Sequence, residues 1–204
     1  NDWIDKDPFV HWKGKLKIVE REFLTEGEIQ KIIELELLME RLEQVRDIFI
    51  FCCFTGLAYV DVKKLNKSDI VLGADGEEWV KTKRSKTDTR SNIPILPIAK
   101  TIIEKYKDNE LLKEKDLVLH VLSNQKMNAY IKEIATLARI AKNLTFHLAR
   151  HTFATTVTLT NGVPIESVSK MLGHTNLRTT QHYAKILDMK VGKDMAILRS
   201  KYAE

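Results

Sequence analysis

The spacing of apolar and polar positions predicts a chain built mostly of helices. The stretch TEGE at 25–28 is a capping-box pattern in front of an apolar run, and it predicts a helix that opens there and continues to about Leu42. A second, very apolar helix is predicted over 44–54, and it stops at a Thr-Gly pair. The remaining predicted helices are 61–65, 98–107, 124–141, 146–160, 164–172, 176–186 and 188–198.

Three short segments between these helices have the composition of strands. They are DIVL at 69–72, EWVKTKR at 78–84 and SNIPIL at 91–96, and the ADG turn at 74–76 joins the first two. Short strands separated by turns favour antiparallel pairing. The predicted fold class is therefore mainly α, with a small antiparallel β-sheet of about three strands.

The organisation along the chain predicts one main domain, over residues 25–187. No internal repeat, low-complexity run or long linker divides it. Residues 1–24 are predicted to form an irregular arm, and residues 188–204 a separate C-terminal helix. Because the sequence begins with Asn1 rather than Met, we expect a fragment from which something upstream is missing.

Composition narrows the class of protein only slightly. The chain has 204 residues, with 33 Lys+Arg against 28 Asp+Glu, and this mildly basic balance permits nucleic acid as a partner without requiring it. The adjacent Cys52 and Cys53 are typical of small buried residues in a reduced compartment, not of a disulfide or zinc site. No apolar run approaches the ~20 residues that span a bilayer, and no secretory leader is visible. We expect a cytoplasmic protein with no membrane partner.

Basic residues are concentrated in the second hairpin. The stretch KTKRSKTDTR at 81–90 holds five basic side chains and one acidic one. Such a loop is either simply solvated or laid along a phosphate backbone. Lys86 stands out because a hairpin can project a single ammonium into a site built by helices. The other basic residues of this segment are Lys81, Lys83, Arg84 and Arg90.

The stretch HLARH at 147–151 places two histidines and an arginine on an otherwise apolar, Thr-rich helix. A core helix gains nothing from a guanidinium that must be desolvated, so an anion is predicted at this face. His147 and His151 could instead form a core or metal pair at i, i+4. No HExxH glutamate and no cysteine accompanies them, which disfavours a metal.

A second histidine segment follows a predicted helix stop. LGHTNLRTT at 172–180 places His174 near the start of the next helix, and Tyr183 lies nine residues further on. His174 could simply cap that helix, and Tyr183 could be a packed aromatic side chain. Taken alone, neither residue indicates chemistry.

The combination is more specific. TGL followed by an acidic residue, a basic hairpin with Lys86, HxxR, LGH and a tyrosine nine residues on together resemble the catalytic domain of the tyrosine recombinases, or phage-integrase family. The resemblance runs from about Phe23 to Tyr183, and FTGLAYVDVKKL looks most like integrases of mobile elements in the Bacteroides group. It implies cutting and rejoining of double-stranded DNA through a 3′-phosphotyrosine and a free 5′ hydroxyl, without metal, ATP or another cofactor.

The resemblance also implies a role for each matching residue. Tyr183 is the nucleophile, Arg150 with His147 and His174 holds the scissile phosphate, and Lys86 protonates the leaving 5′ oxygen. Asp61 and His151 are supporting residues, and His151 is expected to pack inward. The expected DNA-binding residues are Lys81, Lys83, Arg84, Arg90 and Arg178.

The expected partners also follow from the resemblance. The arm at 1–24 would lead from a missing upstream DNA-binding domain. The helix at 188–204 would dock on a neighbouring protomer in a tetramer on DNA, unless it packs on its own domain. An accessory DNA-bending protein and a location at the bacterial nucleoid complete these expectations.

One position departs from the family pattern. Ala58 follows TGL, where the family usually has an arginine that the acidic residue three positions later supports. Either activity is impaired, or another cation replaces the arginine. Arg46 is the first candidate, although pairing with Asp47 or Glu43 would also explain it; Arg84, Arg90 and Arg178 come next. A catalytically impaired DNA-binding relative and a type IB topoisomerase-like activity therefore stay open as alternatives.

Overall fold

A computed structural model of the protein describes residues 22–184 and 188–202. These residues are mainly helical and include one three-stranded antiparallel sheet, which confirms the predicted fold class. The predicted arm lies outside the described residues up to position 21. The elements are α1 (Glu26–Ile33), α2 (Glu40–Thr55), α3 (Tyr59–Val62), β1 (Ile70–Leu72), β2 (Glu78–Lys83), β3 (Arg90–Pro94), α4 (Pro97–Tyr106), α5 (Glu110–Glu114), α6 (Asn124–Leu137), α7 (Phe146–Thr152), α8 (Ile165–Met171), α9 (Leu177–Ala184) and α10 (Asp188–Lys201).

Helix α2 is the centre of the core. It packs against α1, α4, α6 and α7, so its apolar side chains are covered from several directions. Phe49 and Phe51 are fully buried, as are the free cysteines Cys52 and Cys53. Burial on all sides explains why this helix is apolar around its whole circumference from position 48 onward.

The first predicted helix is correct at its start and wrong at its end. Both reciprocal bonds of the Thr25–Glu28 capping box form, but α1 ends at Ile33 instead of continuing to Leu42. The sequence ELEL at 34–37 alternates acidic and apolar residues with a period of two, and Leu35 and Leu37 pack against the core from an irregular segment. An alternation of this kind suits extended backbone rather than a helix.

The sheet has the order β1-β2-β3, with Val80 opposite both Ile70 and Ile93. Val80 and Ile93 are buried, so one face of the sheet covers the core. The Ser91 hydroxyl of β3 donates to the Met171 carbonyl at the end of α8. This contact brings the β2–β3 hairpin against the helices that follow α7.

Helix α7 continues as a π-helical segment over Phe153–Thr158, not as the α-helix predicted through position 160. The Thr158 hydroxyl donates to the carbonyls of Phe153 at 2.9 Å and Ala154 at 2.8 Å, and Thr160 donates to the Thr155 carbonyl at 2.9 Å. These side-chain bonds reach four and five residues back, so the threonines of this segment satisfy carbonyls in a widened turn.

Two other predicted boundaries differ from the structure. Helix α6 ends at Leu137, four residues early, and Arg139 follows it with φ 55°. The five-residue helix α5 was not predicted, because its periodic pattern is too short to identify. No helix within the described residues is both long enough and apolar enough to cross a membrane.

Candidate active site

The guanidinium of Arg150 lies where three segments of the chain meet. It is 4% exposed, and its Nη1 donates to the Gly56 carbonyl at the end of α2 at 2.6 Å. Its Nη2 donates to the Leu172 carbonyl after α8 and lies 3.3 Å from Nε2 of His174. The charge of Arg150 also interacts with the side chain of Tyr183 on α9. One buried cation therefore ties the TGL turn, the LGH turn and α9 together.

The TGL turn requires glycine at position 56. Gly56 ends α2 with φ 68°, a left-handed conformation that disfavours any residue with a Cβ. A Cβ at this position would overlap Cδ1 of Phe153 and lie 3.0 Å from two further atoms of that buried ring. The close approach of the Gly56 backbone to Phe153 is what brings its carbonyl within reach of Arg150.

His174 is held in one orientation and one protonation state. Its Nδ1 lies 2.8 Å from the hydroxyl of the buried Thr180. Because a guanidinium only donates, Nε2 must accept from Arg150, which places the ring proton on Nδ1. Burial, followed by the nearby charges of Arg150 and Arg84, lowers the pKa of His174 to about 4. His174 is therefore neutral at pH 7 in the absence of a bound anion.

Tyr183 on α9 is 7% exposed and lies among these groups. Its ring is stacked on His174, with 6.3 Å between the centroids and 4° between the planes. The His151 ring lies 5.0 Å away on another side. The charge of Arg150 acts on this side chain, so a fixed positive charge lies near the phenol.

The two histidines of HLARH differ in exposure. His151 is 5% exposed and packs inward, whereas His147 is exposed one turn earlier, with 4.3 Å between their ring centroids. Within residues 22–184 and 188–202, no group of three or more His, Cys, Asp or Glu side chains could hold a metal ion. We call the region around Arg150, His174 and Tyr183 the cleft. His147 is the exposed histidine of this pair and is thus the one that a ligand in the cleft could contact.

Asp61 attaches the β2–β3 hairpin to this region. Its carboxylate is 5% exposed, and Oδ1 accepts from the backbone N–H of Ser85 at 2.9 Å. The Thr87 hydroxyl lies 3.5 Å from the Gly173 carbonyl, next to His174. Lys86 lies between these two attachment points and its side chain is exposed. The hairpin tip is therefore held against the cleft by both of its sides.

Arg84 is the hairpin residue that faces inward. In β2 the buried Val80 and half-buried Thr82 alternate with the exposed Lys81 and Lys83, and Arg84 continues the inner row as a half-buried residue. Burial, followed by the charge of Arg84, lowers the pKa of Arg150 to about 10, so the two guanidiniums are close enough to repel each other. The period of two along this strand is a sequence signal that Arg84 faces inward, and the charge of the segment alone does not contain it.

The structure contradicts Arg46 as the replacement for the arginine missing at position 58. Its Nη1 donates to the Leu35 carbonyl at 2.9 Å and its Nε to Asp47 at 2.9 Å, with Glu43 3.5 Å away. These partners belong to the first half of α2 and the segment before it, whereas the cleft lies beyond the end of α2. The bonds of Arg46 there explain why an apolar helix contains an arginine.

The remaining predicted basic residues lie at the surface. Arg90 begins β3 and Arg178 lies in the first turn of α9, and both are exposed. Lys83 is paired at 3.6 Å with Asp88, itself 84% exposed, and such a pair contributes little to stability. Arg90 lines a cavity together with Gly173 and His174, whereas Lys83 and Arg178 are exposed on the hairpin and on α9.

A mainly helical domain in which an arginine, histidines and a tyrosine converge beside a basic hairpin is the arrangement that the resemblance to the tyrosine recombinases implies. The family model described as the phage integrase family matches residues 22–190, and the chain belongs to this family. Tyrosine recombinase XerD of Staphylococcus saprophyticus is 37% identical over 112 residues, which is 48% of this chain and 38% of that protein.

Two further relatives cover more of the chain. Tyrosine recombinase XerD of Oceanobacillus iheyensis is 27% identical over 185 residues, 85% of this chain and 60% of that protein. A crystal structure of XerA recombinase matches with a TM-score of 0.65 and 25% identity, over 89% of this chain and 66% of the other. The chain therefore spans only part of the length of the relatives that it matches.

Proposed function

We propose that this chain is the catalytic domain of a site-specific recombinase that cuts and rejoins double-stranded DNA to integrate or excise a mobile element. The observation that carries the proposal is the position of Tyr183, near the buried Arg150 and stacked on His174. Membership of the phage integrase family supports it. The domain would act together with an upstream DNA-binding domain, in a longer protein of the length of its relatives.

The proposed reaction exchanges one phosphoester for another. The Tyr183 oxygen loses its proton to solvent and forms a bond to phosphorus, which stays attached to the 3′ oxygen of the strand. The bond between phosphorus and the 5′ oxygen breaks, and the Lys86 ammonium supplies the proton that this oxygen needs. Arg150, His147 and His174 hold the non-bridging oxygens, whose charge grows in the transition state. Because the phosphotyrosine keeps the bond energy, the reverse of these steps rejoins a strand without ATP.

The exposed basic residues support a proposed path for the DNA backbone. Four basic side chains are exposed on the hairpin and on α9 and would contact phosphates on either side of the one being cut: Lys81, Lys83, Arg90 and Arg178. Contacts of this kind carry no sequence information, so the choice of site would rest on other parts of the protein. An accessory DNA-bending protein and a location at the nucleoid stay predictions.

Helix α10 supports self-assembly on DNA as part of the proposal. It exposes Val191, Met195 and Leu198, at 62%, 44% and 44%. Exposed apolar side chains close together on one helix favour contact with another surface. We infer that residues 188–204 dock on a neighbouring protomer and link the active sites of a tetramer.

Trapping on a nicked suicide duplex tests the proposed function. When the nucleophile attacks next to a nick, the short 5′ piece diffuses away and the protein stays covalently bound. We expect a covalent adduct with the full-length protein and none with Tyr183→Phe, while Tyr130→Phe on α6 behaves as the parent. An adduct that survives Tyr183→Phe would place the nucleophile elsewhere.

The role of Lys86 has its own test. A bridging 5′ sulfur leaves without needing a proton, so Lys86→Ala should slow cleavage of the ordinary duplex by about 10²-fold or more and that of the sulfur substrate far less. Lys132→Ala, at an exposed position of α6, should slow neither. Equal slowing of both substrates by Lys86→Ala would rule it out as the general acid.

The second candidate function is DNA binding without cleavage. Ala58 favours it, because the loss of one phosphate-binding guanidinium can lower the rate by 10²–10³-fold, about 3–4 kcal/mol. A folded full-length protein that binds the duplex and never forms an adduct would establish this alternative. Relaxation of supercoiled DNA without strand exchange would instead indicate a type IB topoisomerase-like activity.

A further inference from the structure

The site as described contains one buried guanidinium and a position where a second is missing. Ala58 caps α3 with an extended backbone, and its methyl group offers nothing to a phosphate. The four segments around the cleft are the TGL turn, the β2–β3 hairpin, α7 with the LGH turn, and α9. Among residues 22–184 and 188–202, a replacement cation would come from one of these segments.

The hairpin tip is fixed at the residue next to Arg84. Ser85 donates its backbone N–H to the buried Asp61, three residues after Ala58. Within the tip, Arg84 donates its N–H to the Thr89 carbonyl at 2.9 Å and accepts at its own carbonyl from Asp88 at 2.8 Å. Arg84 is therefore held by backbone bonds on both sides and does not sit on a free loop.

The stem of Arg84 runs past the LGH turn. A Cβ placed on Gly173 would lie 3.5 Å from Cβ and 3.6 Å from Cδ of Arg84, so the side chain passes directly over the residue before His174. At the end of this stem, Nε is buried and has no hydrogen-bond partner among the described residues. A buried donor without an acceptor destabilises the empty site, and an anion in the cleft would supply the missing acceptor.

The charge of Arg84 acts on the same groups that surround Tyr183. It is the second cause, after burial, of the lowered pKa of Arg150, and a further cause for His174. Like charges brought this close raise the energy of the empty site. An anion bound between them removes this penalty, so the arrangement favours a ligand with at least one negative charge.

Building on the proposed function, we propose that Arg84 supplies the second phosphate-binding guanidinium of the active site, in place of the arginine absent at position 58. Its planar fork and that of Arg150 would hold the non-bridging oxygens of the scissile phosphate from opposite sides. The other candidates are less suited, because Arg46 is bonded elsewhere and Arg90 and Arg178 are exposed. Arg84 is then a catalytic residue, not only a contact for the DNA backbone.

Single-turnover cleavage of the nicked duplex by the full-length protein tests this assignment. We expect Arg84→Ala to slow adduct formation by 10²–10³-fold and Arg84→Lys by less, because a lysine keeps the charge without the fork. Ala58→Arg should restore part of the rate in the Arg84→Ala background. Arg41→Ala, an exposed arginine that faces Glu133 and Tyr130 on α6, should cleave as the parent does.

Two results would overturn the proposal. One is adduct formation by Arg84→Ala within about three-fold of the parent rate; the other is no recovery at all with Ala58→Arg in a folded double variant. Inorganic phosphate provides a readout that needs no cleavage. It should raise the melting temperature of the parent and of Arg41→Ala, and raise that of Arg84→Ala much less.

The phosphate measurement also separates the two proposals. If the parent forms no adduct but phosphate protects it through Arg84, the recombinase function fails while the anion site stands. If phosphate protects Arg84→Ala as well as it protects the parent, the anion site at Arg84 is refuted, whatever the parent does to DNA.

Discussion

Gly56→Ala should destabilise the protein through two separable effects. The first is the left-handed backbone at φ 68°, which costs an L-residue about 1–2 kcal/mol. The second is the overlap of the new methyl group with the ring of Phe153, which is 1% exposed and has no free space to move into. Overpacking of this kind costs about 1–3 kcal/mol, so the total loss should be about 2–5 kcal/mol.

A second glycine separates these effects. Gly162 has φ 85°, and a Cβ there would meet nothing within 4 Å, so Gly162→Ala should cost only about 1–2 kcal/mol. Urea unfolding followed by far-UV circular dichroism gives both free energies. Combining Gly56→Ala with Phe153→Leu should then cost less than the sum of the two single changes, because the smaller side chain leaves room for the methyl group.

The explanation by close contact fails if Gly56→Ala and Gly162→Ala lose the same stability. Full additivity with Phe153→Leu would contradict it as well, since the ring would then not be what the methyl group meets. If Gly56→Ala loses more stability than Gly162→Ala, the active site should be affected as well. A backbone displaced at position 56 moves the carbonyl that Arg150 contacts, so Gly56→Ala should also slow adduct formation in protein that is still folded.

Three further predictions follow from the charges and the last helix. Asp47→Asn should lower the free energy of unfolding in urea by about 3–5 kcal/mol, because this buried carboxylate accepts from Arg46, Lys105 and Tyr106. The control Asp108→Asn removes an exposed pair and should lower it by at most about 1 kcal/mol. Similar losses for the two variants would contradict this reasoning. The pKa of His174 is about 4 in the folded protein and 6.5 in the unfolded chain, so as the pH falls the unfolded chain takes up the proton first. The contribution of His174 to stability is therefore full above pH 6.5 and is lost as the pH falls toward 4. His174→Gln should flatten the stability profile over that window, and identical profiles would contradict the lowered pKa. Deleting residues 188–204 should leave a folded protein that no longer forms higher-order complexes on DNA in sedimentation experiments, whereas global unfolding would show that the helix packs on its own domain.

Local signals account for the parts of the fold that could be predicted. The capping box at Thr25, the stop at Gly56 and the first-turn proline at Pro164 all act within a few residues, and all lie at or next to helix boundaries in the structure. The three strands were predictable for the same reason, because turn residues and strand composition are local properties. The break after Ile33 was missed because the apolar residues beyond it are compatible with both a period of two and a helical period.

The candidate site required information that local patterns do not contain. Arg46 and Arg84 are both arginines next to apolar segments, and only the tertiary fold decides which of them meets Asp47 and which meets the cleft. The π-helical turn after Thr152 likewise depends on threonines that bond carbonyls four and five residues back. The alternation along β2 was the one local signal for Arg84, and it gives the face of the strand without saying what that face meets.

Asp61 links the departure at Ala58 to the proposed replacement. In the family pattern this carboxylate supports the arginine after TGL; a buried carboxylate that simply lost such a partner would be costly to keep. Here it accepts from Ser85, and its charge acts favourably on Arg150. The same hydrogen bond fixes the backbone next to Arg84 and so aims that side chain toward Gly173 and the cleft. In the proposed assignment, Asp61 still positions a phosphate-binding arginine, which is Arg84. It does so through the backbone of the hairpin instead of through a salt bridge.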